Sequence, residues 1–85
     1  MPNVIFSDAY AVLPQLLREE RLRAGVSKRG LAKLMRRSAS HIHMIEARQR
    51  RVELIEFCRF IEALGGDPVA TFQELRRRLA APSAP

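Results

Sequence analysis

The sequence predicts an all-α domain of five short helices, and three observations carry that reading. Apolar residues recur at three- and four-residue spacings along most of the chain, with no alternating run long enough for a sheet strand. Helix-starting residues (Ser27, Ser38, Asp67) stand before these runs, and Gly25 and Gly65-Gly66 stand after them. At 85 residues, 47% of them apolar, the chain has room for one core.

In the first helix Leu13, Leu16, Leu17 and Ala24 form one stripe, Pro14 suits the first turn and Gly25 closes the end. Residues 1–12 read as an N-terminal arm or short helix. Val4-Ile5-Phe6 suits an extended arm, and Ser7 to Val12 suits a separate turn or a kinked extension of the helix. Ser27 caps a second helix, Lys28 to about Arg36, that buries Leu31, Ala32 and Met35. Gly30 inside it costs roughly 1 kcal/mol relative to alanine. Ser38 caps a third helix, ending near Ala47, with Ile42 and Ile45 inward.

The polar link Arg48-Gln49-Arg50-Arg51 leads to a fourth helix, about Glu53 to Leu64, that turns Leu54, Phe57, Cys58 and Ile61 inward. Asp67 caps the fifth helix, Pro68 takes its first position, and Val69, Phe72, Leu75 and Leu79 form its stripe. Arg76-Arg77-Arg78 reads as a solvated face around that stripe. Phe60 and Leu22 lie off the main stripes of their helices, either at the edge of the core or on a dimer surface. Residues 80–85, all Ala, Pro and Ser, read as a disordered tail, so the domain proper spans 13–79.

The net charge is +6, and its distribution is uneven. From Lys28 to Arg51, eight cations face the single acid Glu46, a net +7 in 24 residues, while the rest of the chain is close to neutral. Such a segment points to an anionic partner, a phosphate backbone or a membrane surface. It is rich in turns and does not run along one helix face, which disfavours the membrane. The first residues lack a basic region followed by a long apolar run, so the expected location is the cytoplasm, with the nucleoid.

Cys58, the only cysteine, fits a reducing compartment and reads as a small buried hydrophobe. His41 and His43 sit two residues apart on one helix, so their rings point about 200° away from each other and cannot share a metal ion. No paired carboxylates, glycine-rich phosphate loop or nucleophile with a base is present. Neither an enzyme nor a bound cofactor is expected.

Two short helices joined by a tight turn, Ser27–Arg36 and Ser38–Ala47, have the helix-turn-helix arrangement. The run Gly25-Val26-Ser27-Lys28-Arg29-Gly30-Leu31-Ala32, followed by Ser38-Ala39-Ser40-His41-Ile42-His43-Met44-Ile45-Glu46, resembles the Cro/phage-repressor type of helix-turn-helix, the xenobiotic-response-element family of bacterial regulators. Arg50 to Phe57 and Ala63 to Val69 look like members of the same family, so the resemblance covers roughly Leu13 to Leu75. Two positions depart from its pattern. Arg36 stands at the turn where relatives carry glycine, and a side chain at positive φ there costs on the order of 1 kcal/mol. Lys28 replaces a frequent glutamine and holds a phosphate only as a point charge.

What the resemblance implies is a five-helix repressor-like domain with its third helix in the major groove of double-stranded DNA. By position, Ala39, Ser40 and Met44 face bases, with His43 near the edge. Lys28, Arg29, Ser38 and His41 face phosphates, and Arg48, Arg50 and Arg51 line the backbone or reach the minor groove. Ser40 hydrogen-bonds in either sense, and Ala39 or Met44 suits a thymine methyl. The set lacks Arg, Asn and Gln, which shifts weight onto DNA shape. The resemblance also implies an Arg21–Glu46 pair tying the first helix to the third.

The expected function is a transcriptional regulator, a repressor acting as a homodimer on a palindromic operator. The alternatives are an antitoxin that also binds a protein partner and represses its own operon, and a general nucleic-acid or RNA-binding protein.

Overall fold

Ser7 opens the first helix by accepting the backbone N–H of Tyr10 on its hydroxyl, 3.1 Å away. The structure is a computed structural model describing residues 7–81. The expected arm at residues 4–6 and residues 82–85 of the expected tail lie outside the described residues. Five helices follow in order: α1 Asp8–Arg23, α2 Lys28–Met35, α3 Ala39–Glu46, α4 Leu54–Ala63 and α5 Pro68–Ala80. Among the described residues there is no strand.

Each helix start is chemically explicit. Ser27 accepts from the N–H of Gly30, Ser38 from His41, Glu53 from Glu56 and Asp67 from Val69. These side-chain acceptors satisfy amides that no preceding turn can reach. The ends are equally regular. After α1, α2, α3 and α4 the chain closes with a paired set of backbone bonds, such as Val26 N–H to Arg21 C=O and Gly25 N–H to Leu22 C=O. This closure requires a residue in the left-handed region. Gly25 and Gly65 supply it at two helices, but Arg36 (φ 56°) and Arg48 (φ 63°) supply it at the two helices of the motif. Both pairs of bonds there are present, Arg37 to Ala32 with Arg36 to Lys33, and Gln49 to Met44 with Arg48 to Ile45.

The core is Leu17, Leu31, Ala32, Ile42, Ile45, Phe57, Phe60 and Ile61, with Leu13, Met35 and Cys58 packed at its margin. α2 and α3 pack on each other, α1 runs behind α3 and α4, and α5 covers α1 and α4. Ala32 is buried within this core, where a larger residue would force α2 and α3 apart.

Several expectations about facing are corrected. Pro14 is in the interior of α1, not in its first turn, because the helix begins six residues earlier at Asp8. An interior proline costs a helix about 3 kcal/mol. Here its ring is fully buried and contributes apolar contact in return. Ala24 is the exposed cap of α1, and Arg21 takes a place on the buried face. In α4 the inward face is centred on Phe57, Phe60 and Ile61. Phe60 is therefore fully buried and offers no dimer surface, while Leu54 in the first turn is exposed. Leu22, its companion in that expectation, is exposed.

The largest correction is α5. Thr71 is buried and Leu75 half-buried, but Val69, Phe72 and Leu79 face outward. The helix is turned by roughly a quarter turn relative to its apolar stripe. In this orientation Arg78 reaches Glu19 of α1 at 2.8 Å while also holding Glu74 at 2.7 Å. The helix extends through Ala80, one residue into the expected tail.

Candidate nucleic-acid interface

The α2–α3 motif is held from behind by one ion pair. Arg21 donates from Nε to Glu46 Oε2 at 2.6 Å and from Nη2 to Oε1 at 2.9 Å, and its third nitrogen reaches the Val26 carbonyl at 3.0 Å. The two side chains are only 7% and 4% exposed. A bidentate pair fixes orientation as well as distance. It sets the C-terminal end of α3 against α1 and the turn that leads into α2.

On the outer side, Ser40 and His43 are exposed, and Ala39 and Met44 are half-buried. Lys28, at the first position of α2, brings its ammonium 3.0 Å from Nδ1 of His43. A lysine ammonium only donates, so Nδ1 is the acceptor in this contact. Two residues read separately, one for phosphate and one for the base edge, thus meet. Arg29 is exposed beside them. The Ser38 hydroxyl oxygen caps α3, which leaves its hydrogen available to donate outward.

His41 is placed differently from its expected role toward phosphate. Its ring turns inward, is 9% exposed, and sets Nε2 2.6 Å from Glu56 Oε2 on α4. The ring therefore joins α3 to α4. No signal within either helix marks this pair, since the partners are fifteen residues apart and on different elements.

The link after α3 is tied down by the N-terminal turn of α1. Arg48 donates to the Ser7 carbonyl at 3.0 Å, and the Val52 N–H donates to the Tyr10 hydroxyl at 3.1 Å. Arg50 and Arg51 lie between these anchors and are exposed. They border a cleft of about 660 Å³ whose walls also include Arg37, Arg59, Met35, Val52 and the His41–Glu56 pair. Arg37 and Arg59 are cations that the sequence reading did not assign. Arg37 lies inside the basic segment and was open to inference, whereas Arg59 reaches the cleft only because α4 packs behind α2.

Among the described residues, no group of three or more His, Cys, Asp or Glu side chains could hold a metal ion. No helix among them is long and apolar enough to cross a membrane. The surface built here is a short exposed helix flanked by cations, on a rigid support, which suits a polyanion with a groove.

Comparison with known proteins agrees with that geometry. Residues 13–79 match the family model described as a helix-turn-helix domain. A search of curated proteins returns no match. Among solved structures, the chain is similar to an XRE-family like protein from Pseudomonas syringae pv. tomato str. DC3000. Identity is 34%, coverage is 82% of this chain and 85% of that one, and the TM-score is 0.78. With its five helices, its α2–α3 motif and these matches, the chain belongs to the Cro/XRE-type helix-turn-helix family of DNA-binding regulators.

Proposed function

We propose that the protein is a sequence-selective repressor that lays α3 in the major groove and occupies a palindromic operator as a homodimer. The observation that carries this reading is the exposed outer face of α3. Ser40 and His43 are exposed there, Lys28 reaches His43, Arg29 is exposed next to Lys28 in the chain, and the exposed Arg50 and Arg51 follow in the link after α3. Ser40, Ala39, Met44 and His43 would meet base edges. Lys28, Arg29, Ser38, Arg50 and Arg51 would hold phosphates, with Arg48 fixing the link. His41 drops out of the phosphate set because its ring is engaged with Glu56. Repression would follow from occlusion of the promoter by the bound protein.

The test is selection of duplexes from a random pool, followed by substitution. Ser40→Ala or Met44→Ala should change the preferred base at one position of each half-site, at about 1–3 kcal/mol for the selected sequence. Arg50→Ala should weaken all sequences alike, because a phosphate carries no base identity. If the selected motif survives both α3 substitutions and changes with Arg50→Ala, α3 is not the reading element.

A further inference from the structure

Lys28 opens α2 and His43 lies in the last turn of α3, yet the Lys28 ammonium stands 3.0 Å from Nδ1 of the His43 ring. An ammonium has three hydrogens and no lone pair, so it only donates. Nδ1 therefore offers its lone pair, and the one N–H of the neutral ring sits on Nε2. A ring protonated on both nitrogens would set two donors against each other in this contact. The contact thus selects a single form of the side chain, neutral with its hydrogen on Nε2. That Nε2–H has no partner among the described residues, and the ring is exposed.

A histidine left to itself is ambiguous, because its outer nitrogen donates or accepts according to the tautomer. In the major groove that ambiguity erases information: cytosine and adenine offer amino donors, while guanine, adenine and thymine offer acceptors. With the hydrogen held on Nε2, only an acceptor satisfies the ring. Guanine presents two acceptors, N7 and O6, and no donor, whereas cytosine presents only its N4 amino donor. Adenine and thymine fall between them, since adenine sets an amino group beside N7 and thymine offers one oxygen beside a methyl group.

We propose that Lys28 holds His43 as an Nε2–H donor and so makes it a reader of guanine that rejects cytosine at one position of the half-site. This rests on the DNA-binding reading above and adds the base class and the residue that sets it. Two N–H donors of Lys28 remain after the contact with His43, enough to hold a backbone phosphate at the same time. A phosphate contact carries no base identity of its own. Here the ammonium that makes it also fixes the proton of the neighbouring reader.

The first readout is the ring itself, by proton–nitrogen correlation NMR on the isotope-labelled full chain without DNA. At about pH 8 an ordinary imidazole is neutral. His43→Phe identifies the His43 signals against those of His41. His43 should show a bare Nδ1 and a protonated Nε2. Lys28→Met should move both ring nitrogens toward the values of an exchanging mixture. Lys28→Arg, which also only donates, should keep the original pattern.

The second readout is affinity for selected duplexes that differ only where His43→Phe abolishes the base preference. The unmodified chain and Lys28→Arg should favour guanine over cytosine there on the order of tenfold or more. Lys28→Met should weaken all duplexes and also erase most of that ratio, because the freed ring can turn an acceptor toward the cytosine amino group.

A protonated Nδ1 in the unmodified chain, or ring signals that ignore Lys28→Met, overturns the hold of Lys28 on the tautomer. A ratio that survives Lys28→Met, a preference for cytosine, or a selected site that His43→Phe leaves unchanged overturns the role in reading. Failure of the unmodified chain to bind any selected duplex, with the ring pattern as expected, overturns the DNA-binding reading and leaves the proton assignment standing.

Discussion

Removing the Glu46 carboxylate should be the most damaging single change to the motif. Glu46→Ala leaves the Arg21 guanidinium 7% exposed with only the Val26 carbonyl as a partner, in place of two short bonds to a carboxylate. Stranding one member of a buried pair costs about 3–5 kcal/mol. At 0.05–0.15 kcal/mol per residue, a chain of this size has about 4–13 kcal/mol in all, so about a quarter or more of the stability is at stake. The melting midpoint should fall by about 12 °C or more, at 4–8 °C per kcal/mol for a domain of this size.

Urea unfolding followed by circular dichroism provides the assay, with the midpoint shifting while the slope stays constant. Arg23→Ala is the control. Arg23 pairs with Glu20 at 2.8 Å but is 67% exposed, so its removal should change stability by less than about 1 kcal/mol. The double change Arg21→Met with Glu46→Leu removes both charges and should recover most of the loss. If Glu46→Ala behaves like Arg23→Ala, the pair is not structural. If the double variant is as unstable as the single one, lost packing and not a stranded charge is the cause.

Four further outcomes follow. His41→Ala should cost about 1–3 kcal/mol by leaving the Glu56 carboxylate unpartnered and should not change the salt dependence of DNA binding. Arg50→Ala should make that log–log slope shallower by about one unit, and an equal change with His41→Ala would return its ring to the phosphate set. Arg36→Gly should stabilise the fold by about 1 kcal/mol by relieving a side chain at φ 56°, and a loss of stability in urea unfolding would contradict this. On the acid side, hydrogen bonds from Arg77 and then Arg78 hold Glu74 down to about 2, and Arg78 also lowers Glu19. Carboxylates with lowered folded values contribute fully above the ordinary 4.5, and that contribution is lost as pH falls toward 2. Arg78→Met should therefore flatten the decline in stability between pH 5 and 2, and an unchanged decline would remove α5 anchoring from the account.

The candidate site was partly legible from sequence, for reasons that differ by residue. Ser27 and Ser38 announce α2 and α3 because a cap acts on amides two or three residues away, within the same turn. Leu31, Ala32, Ile42 and Ile45 follow from helical periodicity, and the basic segment is a matter of counting. The Arg21–Glu46 contact came from family resemblance, since no spacing rule connects residues 25 apart. Tyr10 and Arg59 went unassigned. Tyr10 acts on Val52 across 42 residues, and Arg59 enters the cleft only through the packing of α4.

What the sequence by itself determined, then, is everything decided within one or two turns: helix identity, the caps, the closing glycines, the basic segment and the motif. Tertiary structure decided which way those helices face. Periodicity puts the apolar stripe of α5 inward, yet in the packed helix Thr71 is buried and Phe72 exposed, with Arg78 paired to Glu19, 59 residues away. The ring of His41 lies inside because Glu56 on α4 is there to receive it. Phe60 is buried and Leu54 exposed because the packed face of α4 is centred on Phe57, Phe60 and Ile61. A local pattern specifies that one face of a helix is apolar, but the rotation that minimises free energy depends on partners brought close only by folding, and those partners lie beyond the reach of any period in the chain.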